Sequence, residues 1–233
     1  MTNPLFLAHR GHWHESGIEN SVKAFQKTIQ HLSDQCHGFE CDFRQIHTDN
    51  PESWVVFHDT DMSRLTQSNA HSIDPSTRLY QNNQTGFMPT LTDFVQLIDN
   101  ISVPMVINIE IKTGSIDGIL HLIQLINQTK NHYVDIFYSS FDATIIHTLA
   151  TKTTEKISYL IKKMNDLTVL DTESINRITG INIRFDRLTS EIINEAAIQS
   201  WRLGVYFDSI FNYQSNISAI QKIKSIGIIY FEA

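Results

Sequence analysis

Two carboxylates and an imidazole lie close together in residues 38–59, GFECDFRQIHTDNPESWVVFHD. Glu40 and Asp42 are separated and flanked by apolar residues, so the pattern predicts a strand with both carboxylates on one face. Two like charges at this spacing are costly unless a cation lies between them. His58 titrates near neutral pH, and the three residues together suit metal-assisted hydrolysis. The alternative is an exposed ladder of Glu40, Asp42 and Arg44 on a half-buried strand.

Charged residues also close two other apolar runs. His9 and Arg10 follow LFLA, and Glu110 and Lys112 lie in INIEIK, where polar residues alternate with isoleucines. In a barrel of parallel strands, the functional groups lie at the carboxyl ends of the strands. Because charges buried inside a barrel are costly, we expect these side chains and the carboxylates of the first stretch at the barrel mouth.

The elements that must position these groups alternate between strands and helices. Strands are predicted at residues 5–8, from 38, and at 104–111, 134–139, 156–161, 181–185, 204–207 and 227–231. Helices are predicted at residues 21–32 with Asn20 as N-cap, 90–98, 115–129, 142–150, within 166–177, 190–201 and 218–226. Eight such units predict an α/β fold, a (β/α)₈ barrel. An open doubly wound sheet is the alternative, but no glycine-rich nucleotide loop follows the first strand.

Composition limits the classes of protein. A single domain over residues 1–233 is predicted, with the polar residues 60–88 as an excursion after the second strand. The net charge is −7 without a Lys/Arg cluster, which argues against nucleic acid as a partner but leaves a small anionic substrate open. Neither a signal peptide nor a membrane span is predicted. Two cysteines, Cys36 and Cys41, suggest no disulfide framework, so we expect a cytoplasmic protein without stable membrane insertion.

The order of several short motifs adds a resemblance. LAHRG, EN, GFECDF, TD, VVFHD, RLT, MPTL, INIEIK and SSF follow one another between residues 7 and 141. This series resembles the glycerophosphodiester phosphodiesterase family. The resemblance implies a (β/α)₈ TIM barrel with an excursion after the second strand and a divalent metal ion, Ca²⁺ or Mg²⁺. It also implies hydrolysis of a small-molecule glycerophosphodiester to glycerol 3-phosphate and an alcohol.

The resemblance assigns the metal site and the acid–base pair. Glu40, Asp42 and Glu110 resemble the metal ligands, and their oxygen atoms suit either ion. His9 and His58 resemble the pair in which one imidazole deprotonates water or the substrate's glycerol hydroxyl and the other protonates the leaving oxygen.

The resemblance also assigns residues to substrate. Arg10 and Lys112 look like phosphate clamps. Glu19 matches a residue that orients Arg10, and Asn20 matches one that touches phosphate or metal. Phe141 resembles an aromatic residue of the glycerol pocket.

Several alternatives stay open on the sequence alone. The carboxylates and histidines could form a zinc or iron site, although the E-x-D pairing argues against one. The chain could be a phospholipase D-like lyase that forms a cyclic phosphate, or a barrel that binds phosphate esters without turnover. Its C-terminal third departs from the family, with Tyr206 where Trp is common. Arg184 could contact substrate or form a salt bridge to Asp186 or Glu155. The leaving alcohol and the oligomeric state are not predicted.

Overall fold

The computed structural model describes residues 5–12, 18–33, 36–60, 88–207 and 230–232. Nine strands are found in these ranges, and they form one sheet. The strands are β1 Leu5–Ala8, β2 Gly38–Gln45, β3 Trp54–Val56, β4 Met105–Thr113, β5 Val134–Ser140, β6 Ile157–Ile161, β7 Gly180–Arg184, β8 Arg202–Tyr206 and β9 Tyr230–Glu232.

The sheet closes on itself. Strands β2 and β4 to β9 follow one another as parallel neighbours, and β1 pairs in parallel with both β9 and β2. In the described part of the chain, eight parallel strands therefore form a closed barrel, and β3 lies antiparallel against β2 outside that ring. The predicted (β/α)₈ barrel is confirmed, and the open doubly wound sheet is wrong.

Six α-helices are described, at α1 Val22–Gln30, α2 Leu91–Asp99, α3 Ile116–Thr129, α4 Ala143–Lys152, α5 Thr172–Arg177 and α6 Ser190–Ile198. A Ser, Thr or Asp caps the amino end of each, and its side chain accepts a backbone N–H. The prediction of Asn20 as the N-cap of α1 is wrong. Ser21 takes that position, and its Oγ accepts the N–H of Ala24 at 3.1 Å.

Aromatic packing turns the polar face of β2 towards the barrel interior. Phe39 and Phe43 are fully buried beneath the helices. The ring centroid of Phe39 lies 4.4 Å from that of Phe25 in α1, and that of Phe43 lies 5.0 Å from that of Phe94 in α2. Because side chains alternate along a strand, Glu40 and the other even-numbered residues of β2 point inwards.

Two predicted segments fall largely outside the described residues. They are the excursion at residues 60–88 and the helix at 218–226, together with the start of the last strand. None of the helices in the described ranges combines the length and the apolar character that a membrane crossing requires.

Candidate active site

Three buried carboxylates from two adjacent strands form the centre of the site. Asp42 of β2 lies beside Glu110 of β4 in the parallel register, and Glu40 is two residues earlier on β2. Their exposed fractions are 1% for Glu40, 0% for Asp42 and 7% for Glu110. One oxygen from each lies within 4.8 Å of the others. The sequence analysis placed these charges at the barrel mouth, and the structure adds that their side chains are almost fully buried.

Two cations offset the cost of burying those charges. Lys112 Nζ lies 3.0 Å from Asp42 Oδ1 and 2.5 Å from Glu110 Oε1. Arg10 Nε lies 3.4 Å from Asp42 Oδ2, and the backbone N–H of Arg10 donates to Glu40 Oε2 at 3.0 Å. A buried carboxylate is tolerated when it is paired and hydrogen-bonded in this way. Both predicted phosphate clamps therefore contact the carboxylate cluster.

Residues before α1 hold this arrangement in place. Arg10 Nη1 donates to Glu19 Oε1 at 2.7 Å, so Glu19 holds the guanidinium through a different nitrogen from the one nearest Asp42. Asn20 contacts Asp42 twice. Its Nδ2 donates to Asp42 Oδ2 at 2.8 Å, and its Oδ1 accepts the backbone N–H of Asp42 at 3.1 Å.

The charge balance of the cluster leaves an excess of negative charge. Four carboxylates, including Glu19, face the two cations Arg10 and Lys112. Burial, together with the charge of nearby Asp42, raises the pKa of Glu110 to about 7, against the opposing charge of Lys112. Burial also raises the pKa of Asp42, but Lys112 and Arg10 more than offset this and hold it well below its usual range. Protonation of Glu110 is thus one response of the cluster to its surplus charge.

The residues present fit a divalent metal ion. Carboxylate oxygens are the ligands that Ca²⁺ and Mg²⁺ prefer, and Glu40, Asp42 and Glu110 offer one oxygen each within reach of a common point. A divalent cation also matches the formal excess of two negative charges. In the described part of the chain, this is the one group of three such side chains that could hold a metal, and it contains no imidazole or thiolate of the kind that zinc favours.

Both predicted histidines lie beside the carboxylates. His9 Nε2 is 3.8 Å from Glu40 Oε2. Burial and then the charge of Arg10 lower the pKa of His9 to about 4, against the opposing charge of Asp42. Burial also lowers the pKa of His58, and Asp42 again opposes the shift. Since the charge of Asp42 acts on both imidazoles, both lie near the carboxylate cluster.

Two residues that the sequence analysis assigned no role hold His58 in position. Asp59 Oδ1 lies 2.6 Å from His58 Nδ1. An ionised carboxylate can only accept, so Nδ1 carries the proton and Nε2 presents a lone pair. Arg44 Nε and Nη2 donate to the backbone carbonyl of His58 at 3.1 and 2.9 Å. The HD pair at the end of an apolar run was the available signal for Asp59.

Two other residues named in the sequence analysis, Phe141 and Arg184, make contacts outside the carboxylate cluster. Phe141 follows β5 and meets Tyr206 of β8 edge to face, with ring centroids 6.1 Å apart. Arg184 forms a salt bridge with Asp186, and its Nη2 lies 2.8 Å from Oδ2. This is one of the two salt bridges that the sequence suggested for Arg184.

Comparison with known proteins gives a match in structure alone. No family model and no curated protein matches the sequence. A phosphodiesterase from Oleispira antarctica, solved with its product sn-glycerol-3-phosphate, superposes with a TM-score of 0.70 at 18% identity, covering 98% of this chain and 92% of that one. A glycerophosphodiester phosphodiesterase from Parabacteroides distasonis superposes with a TM-score of 0.67 at 18% identity, covering 99% and 92%. The chain therefore has the (β/α)₈ barrel fold of these phosphodiesterases.

Proposed function

We propose that this protein hydrolyses glycerophosphodiesters to glycerol 3-phosphate and an alcohol, using a divalent metal ion held by Glu40, Asp42 and Glu110. The observation that carries the proposal is the buried carboxylate cluster with its excess negative charge, set beside His9 and His58 at the carboxyl ends of the strands. The fold shared with phosphodiesterases, one of them solved with sn-glycerol-3-phosphate, supports this class of substrate.

Binding of the phosphate follows from the cations of the cluster. Arg10 is held by Glu19 and Lys112 by two carboxylates, so both positive charges are in place before substrate arrives. Preorganised charges of this kind stabilise the negative charge that gathers on the non-bridging phosphate oxygens. A divalent ion, if held by Glu40, Asp42 and Glu110, would supply further positive charge for the phosphate.

Proton transfer is the role proposed for the two imidazoles. The Asp59 carboxylate holds the Nδ1–H of His58, which leaves Nε2 to take or return the proton and stabilises the imidazolium when it forms. His9 lies against Glu40, with Nε2 3.8 Å from Oε2. One histidine removes the proton of the attacking hydroxyl, and the other supplies a proton to the leaving alcohol oxygen.

The test is a product assay with and without chelator. Wild-type protein is incubated with glycerophosphocholine and glycerophosphoglycerol, and we expect glycerol 3-phosphate that disappears with EDTA and returns with Ca²⁺ or Mg²⁺. His9→Ala and His58→Ala are each expected to lower turnover by ~10² or more while metal affinity stays within about twofold. His47→Ala, at an exposed loop histidine, is the control and should retain activity.

Other outcomes would replace the proposal. A cyclic phosphate product would identify a lyase, and binding of phosphate esters without turnover would identify a non-catalytic barrel. Full activity in EDTA-treated protein would remove the metal from the reaction. The orientation of His58 by Asp59 argues against the non-catalytic alternative, since a barrel that only binds has no need of a fixed imidazole tautomer.

A further inference from the structure

Three side chains form a cluster at the rim of the barrel, which we name the rim cluster: Phe141 after β5, Lys162 after β6 and Tyr206 at the end of β8. The Phe141 and Tyr206 rings meet at 89°. Lys162 Nζ lies 5.7 Å from the centroid of the Phe141 ring, over its face. A cation in this position is attracted by the negative face of the ring.

The rim cluster lies over the barrel mouth next to the carboxylates. Ser139 points into the barrel, because its Oγ donates to Asn108 Oδ1 at 2.8 Å. Phe141 is two residues further along and shares that side, and Ser139 is the register partner of Glu110. Contact between Phe141 and Tyr206 joins strands that β6 and β7 separate, so the two rings approach each other across the mouth. A substrate held at the carboxylates would leave the barrel mouth beside these rings.

Lys162 brings an available charge to this entrance. Its side chain is exposed, and no carboxylate in the described part of the chain lies within 4 Å of its Nζ. The start of its segment is fixed, since the backbone N–H of Lys162 donates to Asp166 Oδ2 at 2.7 Å. Arg10 and Lys112 differ from it, because both are paired with the buried carboxylates.

We propose that Lys162 selects the leaving alcohol by its charge, favouring alcohols that bear an anionic group over cationic alcohols such as choline. The inference rests on the proposed function and concerns the substrate class of the same site. An aromatic ring face is a common binding site for a quaternary ammonium, but here the ammonium of Lys162 already covers one face of Phe141. A second cation there meets a like charge, whereas an anion forms an ion pair at the same place.

The resemblance assigns Phe141 to the glycerol pocket, but the charge of Lys162 beside it can distinguish substrates only by their alcohol. Glycerol is uncharged and common to all glycerophosphodiesters, so an ammonium near the glycerol cannot distinguish one substrate from another. Arg10 and Lys112 already serve the phosphate deeper in the barrel. Only the alcohol varies in charge between substrates, and it is therefore the group that Lys162 can distinguish.

The experiment compares kcat/KM for three substrates: glycerophosphocholine, glycerophosphoglycerol and glycerophosphoinositol 4-phosphate, whose alcohols are cationic, neutral and anionic. We expect wild-type protein to prefer the anionic over the cationic alcohol. Lys162→Met should lower the ratio of anionic to cationic kcat/KM by about threefold, and Lys162→Glu by about tenfold or more, as expected for one charge pair near a surface. Lys163→Glu changes the same charge one residue away and should leave the wild-type ratio and activity in place.

The outcomes separate this inference from the proposed function. If wild-type protein hydrolyses these substrates but the ratio is the same in Lys162→Glu, or shifts equally in Lys163→Glu, the inference is wrong and the proposed function stands. If wild-type protein hydrolyses none of the three, the proposed function fails and the inference falls with it. Circular dichroism of each variant confirms that the comparison is made between folded proteins.

Discussion

Replacement of Asn20 by alanine tests how the metal site is held together. Asn20 is 2% exposed and has a left-handed backbone with φ of 52°. Both ends of its amide bind Asp42, one at the carboxylate and one at the backbone N–H. We expect Asn20→Ala to destabilise the protein and to weaken its affinity for Ca²⁺ or Mg²⁺, because Asp42 loses two of the contacts that orient it.

The magnitude follows from the two hydrogen bonds. A bond to a charged acceptor contributes about 1.5–3 kcal/mol and a neutral one about 0.5–1.5 kcal/mol. Allowing for Lys112 and Arg10, which still hold the carboxylate, we expect a loss of about 2–4 kcal/mol in the free energy of unfolding. For a chain of this size, that corresponds to a Tm lower by roughly 5–15 °C. Losing the partner that orients a metal ligand typically weakens metal affinity by about 10- to 100-fold.

The assay is thermal unfolding with and without metal, together with metal titration by calorimetry. Asn20→Gly is the companion variant, since glycine accepts the left-handed backbone and isolates the loss of the side chain. Ser200→Ala is the matched control, because Ser200 has φ of 57° but an exposed side chain. We expect Ser200→Ala to stay within about 0.5 kcal/mol of wild type. Wild-type stability and metal affinity in Asn20→Ala would refute the reasoning.

Two further predictions concern the neighbours of this site. Asp59→Asn keeps the shape of the partner of His58 but not its charge, so we expect kcat to fall by about 10- to 100-fold. Because Asp59 raises the pKa of His58, the acidic limb of the pH–rate profile should also move to lower pH. A wild-type pH–rate profile in the variant would contradict this prediction. In metal-free protein, the folded-state pKa of Glu110 lies above its ordinary value, so the carboxyl reduces stability as pH rises from about 4.5 to about 7. Glu110→Gln should remove this pH dependence of stability. The free energy of unfolding in urea is measured against pH for both proteins, and the difference between the two curves isolates Glu110, because the histidines titrate in both proteins. Parallel curves would contradict the prediction.

The sequence alone determined the architecture. Alternation of apolar runs with helical patterns predicted eight strands in the right order, and the parallel barrel follows because each helix crosses back over the sheet in the same hand. The E-x-D pair of Glu40 and Asp42 was also readable, because a period of two fixes which residues share a face of a strand. The N-cap of α1 was misplaced by one residue, since Asn20 and Ser21 are both good caps and only a tertiary contact with Asp42 separates them.

Tertiary structure decided the depth and electrostatics of the site. The sequence placed the carboxylates at the barrel mouth, and only the tertiary structure shows that they are buried and paired with cations. Arg10 follows β1 and Lys112 lies on β4, and their distances to Asp42 depend on the parallel register of three strands that lie far apart in the chain. The rim cluster is of the same kind, because Phe141 and Tyr206 meet only when the sheet curves into a barrel. The periodicity of a sequence indicates which residues share a face of a strand. The partner that stabilises a buried charge is fixed only when the barrel closes.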